Sequence, residues 1–187
     1  MMRTRTRRAA GFTLVELMTV VAIIGIVAAL AARFYSKGAR GETAPAFARG
    51  VLSSVNDARH MALVLGRPTS ITLDGANKRI VTSAYDTTTS TWKAQSALAL
   101  PSTLQLCTPA SSVQFGTVTP SCPFSTTSVI CFSPNGRVNM PASGTCATTS
   151  PSTDTGATIY VATKAADKKF RILVWGLTGM AKVIDTW

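Results

Sequence analysis

The chain has 187 residues and a formal net charge of +11 at neutral pH, with 46% apolar and 14% charged residues. This length is typical of one domain and excludes two large ones. The composition excludes an acidic disordered tail, a collagen and a protein with several membrane spans. The chain contains 1 histidine, which disfavours catalysis by histidine or a metal site built from several histidines.

An arginine-rich leader opens the chain and is followed by a long apolar segment. Arg3, Arg5, Arg7 and Arg8 precede Gly11, and the apolar segment runs over residues 12–32. A helix of this length spans about 30 Å, the thickness of the hydrocarbon core of a bilayer. The arginines predict that the leader stays on the cytoplasmic side of the membrane. We therefore expect one membrane-spanning helix, with the bulk of the chain outside the cytoplasm.

Two features distinguish this segment from an ordinary secretory signal. The apolar run is longer than such a signal needs, and the small residue Gly11 precedes the run instead of following it. Cleavage after Gly11 would leave the apolar helix on the mature protein. Glu16 lies inside the apolar run, where a carboxylate costs about 2.5–3.5 kcal/mol or more. A new terminal amine at Phe12, on the same chain or a neighbouring copy, would neutralise this carboxylate.

The run Gly11-Phe12-Thr13-Leu14-Val15-Glu16-Leu17 carries a family resemblance. Behind a short basic leader and ahead of an apolar helix, it resembles the class III signal of type IV pilins and type II secretion pseudopilins. The resemblance covers residues 3–32. It implies that prepilin peptidase cuts after Gly11, that Phe12 becomes the N-methylated terminus, and that Glu16 sets the register of subunits in a filament. The alternative is a plain signal anchor.

A second helical segment follows, with an apolar stripe suited to packing on a sheet. The stripe is predicted at Phe47, Val51, Val55, Ala58 or Arg59, Ala62 and Leu65. Gly38, Gly41 and Pro45 predict a kink or break near 38–45. His60 is interpreted as a surface or interfacial residue, and Gly66-Arg67-Pro68 ends the helix.

Short runs bounded by turn residues predict that the remainder is β-rich. Asp74-Gly75-Ala76-Asn77 is a hairpin signal between two of these runs. The Ser-, Thr- and Pro-rich segment 141–157 is predicted to be an exposed loop. The predicted strands are Thr69–Leu73, Arg79–Ala84, Thr91–Ala97, Thr103–Leu106, Val113–Val118, Ser128–Phe132, Arg137–Met140, Thr158–Ala162, Phe170–Val174 and Met180–Asp185.

The predicted fold class is α+β, with a long N-terminal helix packed on an antiparallel β-sheet domain, which is the architecture of pilins. The predicted boundaries are a leader at 1–11, a transmembrane half of the helix at 12–32, its second, periplasmic half at 33–66 and a β-rich globular domain at 67–187.

Three short motifs resemble the GspH/FimT-type minor pilins and pseudopilins. These are Gly66-Arg67-Pro68, the run from Cys131 to Arg137, and the run from Val174 to Gly179. In that group a strand ending in a Phe-x-x-x-Gly turn and a final hairpin turning at Thr-Gly recur. Some members carry an arginine-rich final hairpin linked to DNA binding during uptake. Here Met180-Ala181-Lys182 follows the Thr-Gly turn, so those arginines are missing.

Cys107, Cys122, Cys131 and Cys146 all fall in the β-rich region. An even number of cysteines in an exported domain indicates disulfides, and four cysteines allow three connectivities. The equal spacings of 107–122 and 131–146 favour two local loops. A zinc site is the competing interpretation, but the chain has no Cys-x-x-Cys pair and its histidine is distant in sequence.

The chain contains no nucleotide-binding, metalloprotease or serine-hydrolase motif, so we predict no enzymatic activity, no cofactor and no metal.

The resemblance implies a minor pilin or pseudopilin of a type IV pilus or type II secretion filament that starts or caps assembly. Its partners would be prepilin peptidase, the bacterial inner membrane and other subunits through the N-terminal helix. Its β domain would be periplasmic, then part of a filament that reaches the cell surface in a pilus. The alternative is a DNA-binding tip subunit of an uptake pilus that uses Lys164, Lys168, Lys169, Arg171 and Lys182.

Overall fold

The fold is described from a computed structural model. It covers residues 14–113, 119–147 and 154–185, without the side chains of residues 28–43. Gly11 and Phe12 therefore lie outside the described residues, as do most of the predicted strand Val113–Val118 and the middle of the predicted loop. The elements are α1 (Leu14–Leu65), β1 (Thr69–Asp74), β2 (Arg79–Asp86), β3 (Thr91–Ala99), β4 (Leu104–Ala110), β5 (Thr127–Phe132), β6 (Val138–Asn139), β7 (Ala157–Thr163), β8 (Lys169–Val174) and β9 (Ala181–Ile184).

The chain divides into two compact units, Met1–Glu42 and Thr43–Trp187. The first contains the beginning of α1. The second, which we call the globular unit, contains the rest of α1 and the nine strands that the described residues form. No helix in the described part of the chain has the length and apolarity required to cross a membrane. The predicted transmembrane segment 12–32 extends beyond the described residues at its start and beyond the described side chains at its end.

Within the globular unit, one face of α1 is buried. The stripe predicted from the sequence is confirmed at Phe47, Val51, Val55, Ala58 and Ala62, which are at most 5% exposed. Full burial of a side chain such as valine or phenylalanine contributes about 1.5–3 kcal/mol. The prediction of this stripe is wrong at Leu65, which is 51% exposed. The reason is that α1 ends at this residue and the chain turns at Gly66.

A kink or break is predicted near 38–45, and a break is wrong, because α1 continues in helical conformation through Pro45. The kink stays a prediction. Pro45 is the third residue of the globular unit. A proline removes one backbone hydrogen bond from a helix but does not by itself end it when packing holds the turns on either side. Such packing is present just after the proline, since Phe47 and Ala48 are buried in the core.

The strands form two antiparallel sheets with the orders β3-β2-β1-β5-β6 and β4-β7-β8-β9. The inward side chains of both sheets and the buried face of α1 form one continuous apolar core. The α+β prediction with an antiparallel sheet is therefore confirmed. The described strands of the β-sheet domain form two sheets. The predicted strands agree with the observed ones to within a few residues, except for the part of Val113–Val118 that is not described.

Candidate functional site

The start of α1 carries Glu16 in its first turn. The hydroxyl of Thr19 donates a hydrogen bond of 2.8 Å to the backbone oxygen of Glu16. Around it, large apolar side chains are exposed at positions that cover every side of the helix: Leu14, Val15, Leu17, Met18, Val20, Val21, Ile23, Ile24, Ile26 and Val27. A helix that is apolar all round is stable only when lipid or other protein chains surround it. The geometry therefore favours an assembly or membrane segment in which Glu16 is the charged group.

Both pairs of cysteines are joined in the structure. Cys107 is bonded to Cys122 with a Cα–Cα distance of 4.4 Å, and Cys131 to Cys146 with 5.6 Å. These are the two local loops that the equal spacing favours. Because every cysteine is in a disulfide, none is available as a thiolate ligand for zinc. The described residues also contain no group of three His, Cys, Asp or Glu side chains that could hold a metal.

Each disulfide holds a loop against the outer face of one sheet. Cys107 is buried with Tyr160 and Ala162 on the face of the second sheet that points away from the core, and Cys122 packs against them. Burial raises the pKa of the Tyr160 hydroxyl, and the charge of Arg171 partly opposes this shift. Cys131 is also buried, on the outer face of the first sheet.

The five candidate nucleic-acid residues lie on β8, β9 and the turn before β8. Lys164, Lys168 and Lys182 are exposed, Lys169 is half-buried and Arg171 is buried. Lys182 is paired with Leu173, which places Lys169, Arg171 and Lys182 on the same outer face of the second sheet. The structure therefore brings three of the five candidate residues onto one face of the sheet. The burial of Arg171 argues against a direct contact between its side chain and a phosphate.

The two sequence motifs of the C-terminal half meet at the end of α1. The turn after β5 is closed by a backbone hydrogen bond of 2.9 Å from Gly136 to Ser133. The turn between β8 and β9 is closed by a bond of 2.8 Å from Gly179 to Trp175. A β-carbon on Gly179 would lie 2.6 Å from the carbonyl oxygen of Gly136, so only glycine permits this approach.

The helix joins this contact through two side chains. The Nε of Arg59 donates a 2.7 Å hydrogen bond to the backbone oxygen of Thr178. The Cδ2 of Leu63 lies 3.3 Å from the place that a β-carbon on Gly136 would occupy. The end of α1, the turn after β5 and the tip of the β8–β9 hairpin are therefore one contiguous surface.

Sequence reasoning missed the apolar residues on that surface. Leu177 is 69% exposed and Met180 59% exposed in the hairpin that contacts Arg59 of α1, and Leu63, Val64 and Leu65 at the end of α1 are also exposed. Leu65 was expected in the core, and the other four were not assigned a role. A signal was present in the sequence, because Leu177 and Met180 flank a Thr-Gly turn, where polar residues are the rule.

Comparison with known proteins found a similarity in sequence for the N-terminal segment and a similarity in fold for most of the chain. Residues 6–32 match the family model described as the prokaryotic N-terminal methylation motif. Two solved structures of the minor pseudopilin EpsH from the type 2 secretion system of Vibrio cholerae are similar in fold. One has a TM-score of 0.50 at 14% identity over 77% of this chain and 98% of its own. The other has a TM-score of 0.52 at 12% identity over 77% of this chain and 94% of its own. No curated protein sequence matches the chain.

Residues 6–32 thus match a prokaryotic N-terminal methylation motif, and the chain is similar in fold to EpsH.

Proposed function

We propose that the chain is a minor pilin or pseudopilin, a structural subunit that helps to start or cap a type II secretion or type IV pilus filament. The observation that carries the proposal is the exposed apolar surface of α1 from Leu14 to Val27, interrupted by Glu16 and coinciding with the methylation motif. A globular unit with its own core does not need this surface for folding. Other chains or lipid must cover it.

The location follows from the same segment. The arginines of the leader hold it on the cytoplasmic side, so residues 12–32 would cross the inner membrane once before assembly. The globular unit would then lie in the periplasm, where its two disulfides are stable. After processing, the apolar helix would leave the bilayer for the core of the filament with little change in its apolar surroundings.

The intact mass of the chain, co-expressed with a prepilin peptidase, tests this proposal. We expect loss of residues 1–11 and the gain of one methyl group at Phe12. Gly11→Ala is the control, because it changes the residue before the cut and leaves the apolar helix intact. An uncut wild-type chain would show that the segment is a signal anchor, and the proposal would fail.

DNA binding is the second candidate function, favoured by the shared face of Lys169 and Lys182 on the second sheet. Retardation of duplex DNA by the full chain in detergent, weakening steeply as salt increases, would support it. Lys182→Glu should then weaken binding, whereas Lys78→Glu, in the turn between β1 and β2, should not. Equal retardation by both variants would contradict a site on this sheet.

A further inference from the structure

Five large apolar side chains are exposed in the described part of the globular unit, and all of them lie at one end of it. Leu63, Val64 and Leu65 are the last residues of α1, and Leu177 and Met180 flank the tip of the β8–β9 hairpin. The contacts of Leu63 with Gly136 and of Arg59 with Thr178 join these two segments. We call these five residues the apolar end patch. Exposed large apolar side chains that are concentrated on adjoining segments are a candidate interaction site.

The segments that present the patch are held in place by backbone contacts. Trp175 and Met180 are linked by a backbone hydrogen bond of 2.9 Å, and the amide of Val138 donates a bond of 2.6 Å to Gly176. Gly179 has a positive φ of 63° and lies against Gly136. The hairpin tip is therefore fixed on the helix end before any partner arrives, so little conformational entropy is lost on docking.

The charges beside the patch are basic. Arg59 contacts the hairpin tip, Arg67 follows the helix end by two residues, and Lys182 follows Met180 by two residues. The backbone of Asp154 packs against Gly176, next to Leu177, and its carboxylate is paired with Arg137 at 2.9 Å. Asp57 lies six residues before Leu63 in the chain, and Asp185 lies five residues after Met180. A second copy of this chain would bring the same basic groups of its own patch against Arg59, Arg67 and Lys182. An acidic partner surface has the complementary charge.

The position of the patch within the unit argues against lipid as the occupant. The unit joins the N-terminal segment at Thr43, and Leu63 lies 20 residues further along the same helix. At 1.5 Å per residue this is about 30 Å from the junction. The end of the unit that adjoins the proposed membrane segment is thus the opposite end of this helix.

We infer that the apolar end patch docks the globular part of a different pilin-like subunit, through an apolar surface with an acidic rim. This inference rests on the proposed function, since it takes the partner from the same filament. It goes beyond that function because it assigns a second assembly surface, independent of the N-terminal helix.

The test is co-purification in detergent of the full chain with each other protein of the same genome that carries an N-terminal methylation motif, each co-expressed in turn with prepilin peptidase. The test variant is Leu177→Ser with Met180→Ser, two exposed positions whose change leaves the core intact. The matched control is Gln95→Ser with Ala97→Ser, two exposed positions on β3. A second variant, Lys182→Glu, tests the charge.

We expect that at least one partner with an acidic globular part binds the wild type and the control equally. The double patch variant should bind it at least tenfold more weakly, and Lys182→Glu should also bind it more weakly at low salt. Equal binding by all variants, or no binding to the wild type, would overturn the inference. So would a patch-dependent self-association of the chain, or a patch-dependent binding to phospholipid vesicles. If the intact mass shows normal cleavage and methylation while the double patch variant binds its partner as tightly as the wild type, the inference fails but the proposed function stands.

Discussion

At the scale of single residues, Asp74 organises the first hairpin. Its carboxylate accepts hydrogen bonds from the backbone amide of Asn77 at 2.9 Å, from the side-chain amide of Asn77 at 2.7 Å and from Arg79 Nε at 3.2 Å. The two bonds from Asn77, followed by the bond and charge of Arg79, lower the pKa of Asp74, and burial partly opposes this. All three donors favour the charged form of the carboxyl group.

The lowered pKa sets the direction of a pH effect on stability. Because the folded pKa lies below the value of 3.8 for the free group, the stabilisation is complete above that value and is lost as the pH falls through the folded pKa. Asp74→Asn should therefore lower the free energy of unfolding at pH 7 by about 1–3 kcal/mol, since a donor replaces one acceptor oxygen. Below pH 4 the difference from the wild type should shrink.

Urea unfolding of the detergent-solubilised chain at pH 7 and pH 3 measures this difference. Asp57→Asn, on the exposed surface of α1, is the matched control and should change little at either pH. A difference between Asp74→Asn and the wild type that is as large at pH 3 as at pH 7 would contradict the assignment.

At the scale of elements, each disulfide fixes a loop on a sheet, so its removal should have two effects. A bond that closes a 15-residue loop contributes about 3 kcal/mol, mainly by restricting the unfolded chain. Cys107→Ala with Cys122→Ala should lower the free energy of unfolding by about that amount. The double substitution should also expose Tyr160 to solvent, because Cys122 no longer packs against it. The raised pKa of the Tyr160 hydroxyl should then fall back towards 10.

Denaturant unfolding and spectrophotometric titration of tyrosine measure these two effects. Cys131→Ala with Cys146→Ala is the matched control, because its loop has the same length but lies on the other sheet. It should lose similar stability and leave the Tyr160 titration unchanged. If both double variants shift that titration equally, the loop at Cys122 is not what buries Tyr160.

Most elements were predictable from the sequence because their signals are local. Turn residues such as Asp74-Gly75 bound the strands, and the apolar spacing from Phe47 to Ala62 defines the buried face of α1. The division into two sheets was not predictable, since it depends on pairing between distant strands such as β1 with β5. The apolar end patch was missed for the same reason, because Leu63 and Leu177 are brought together only by the folded chain.

At the scale of the whole molecule, the two units differ in the burial of their apolar side chains. The globular unit buries its apolar side chains around α1 in its own core. The first unit leaves its described apolar side chains, from Leu14 to Val27, exposed on every side of the helix. Under the proposed function, a filament or a bilayer would cover the apolar side chains that the first unit leaves exposed.

Glu16 is the residue whose change should separate processing from assembly. A carboxylate in apolar surroundings costs about 2.5–3.5 kcal/mol until a cation adjoins it, and in a filament the terminal amine of a processed neighbour would be that cation. Glu16→Ala and Glu16→Lys should therefore be cleaved normally but enter filaments at least tenfold less than the wild type. Thr19→Val is the matched control, because it removes a polar group one turn away and keeps the carboxylate. Intact mass reports processing, and immunoblots of sheared filaments report incorporation. Normal incorporation of both Glu16 variants would mean that the carboxylate does not guide assembly.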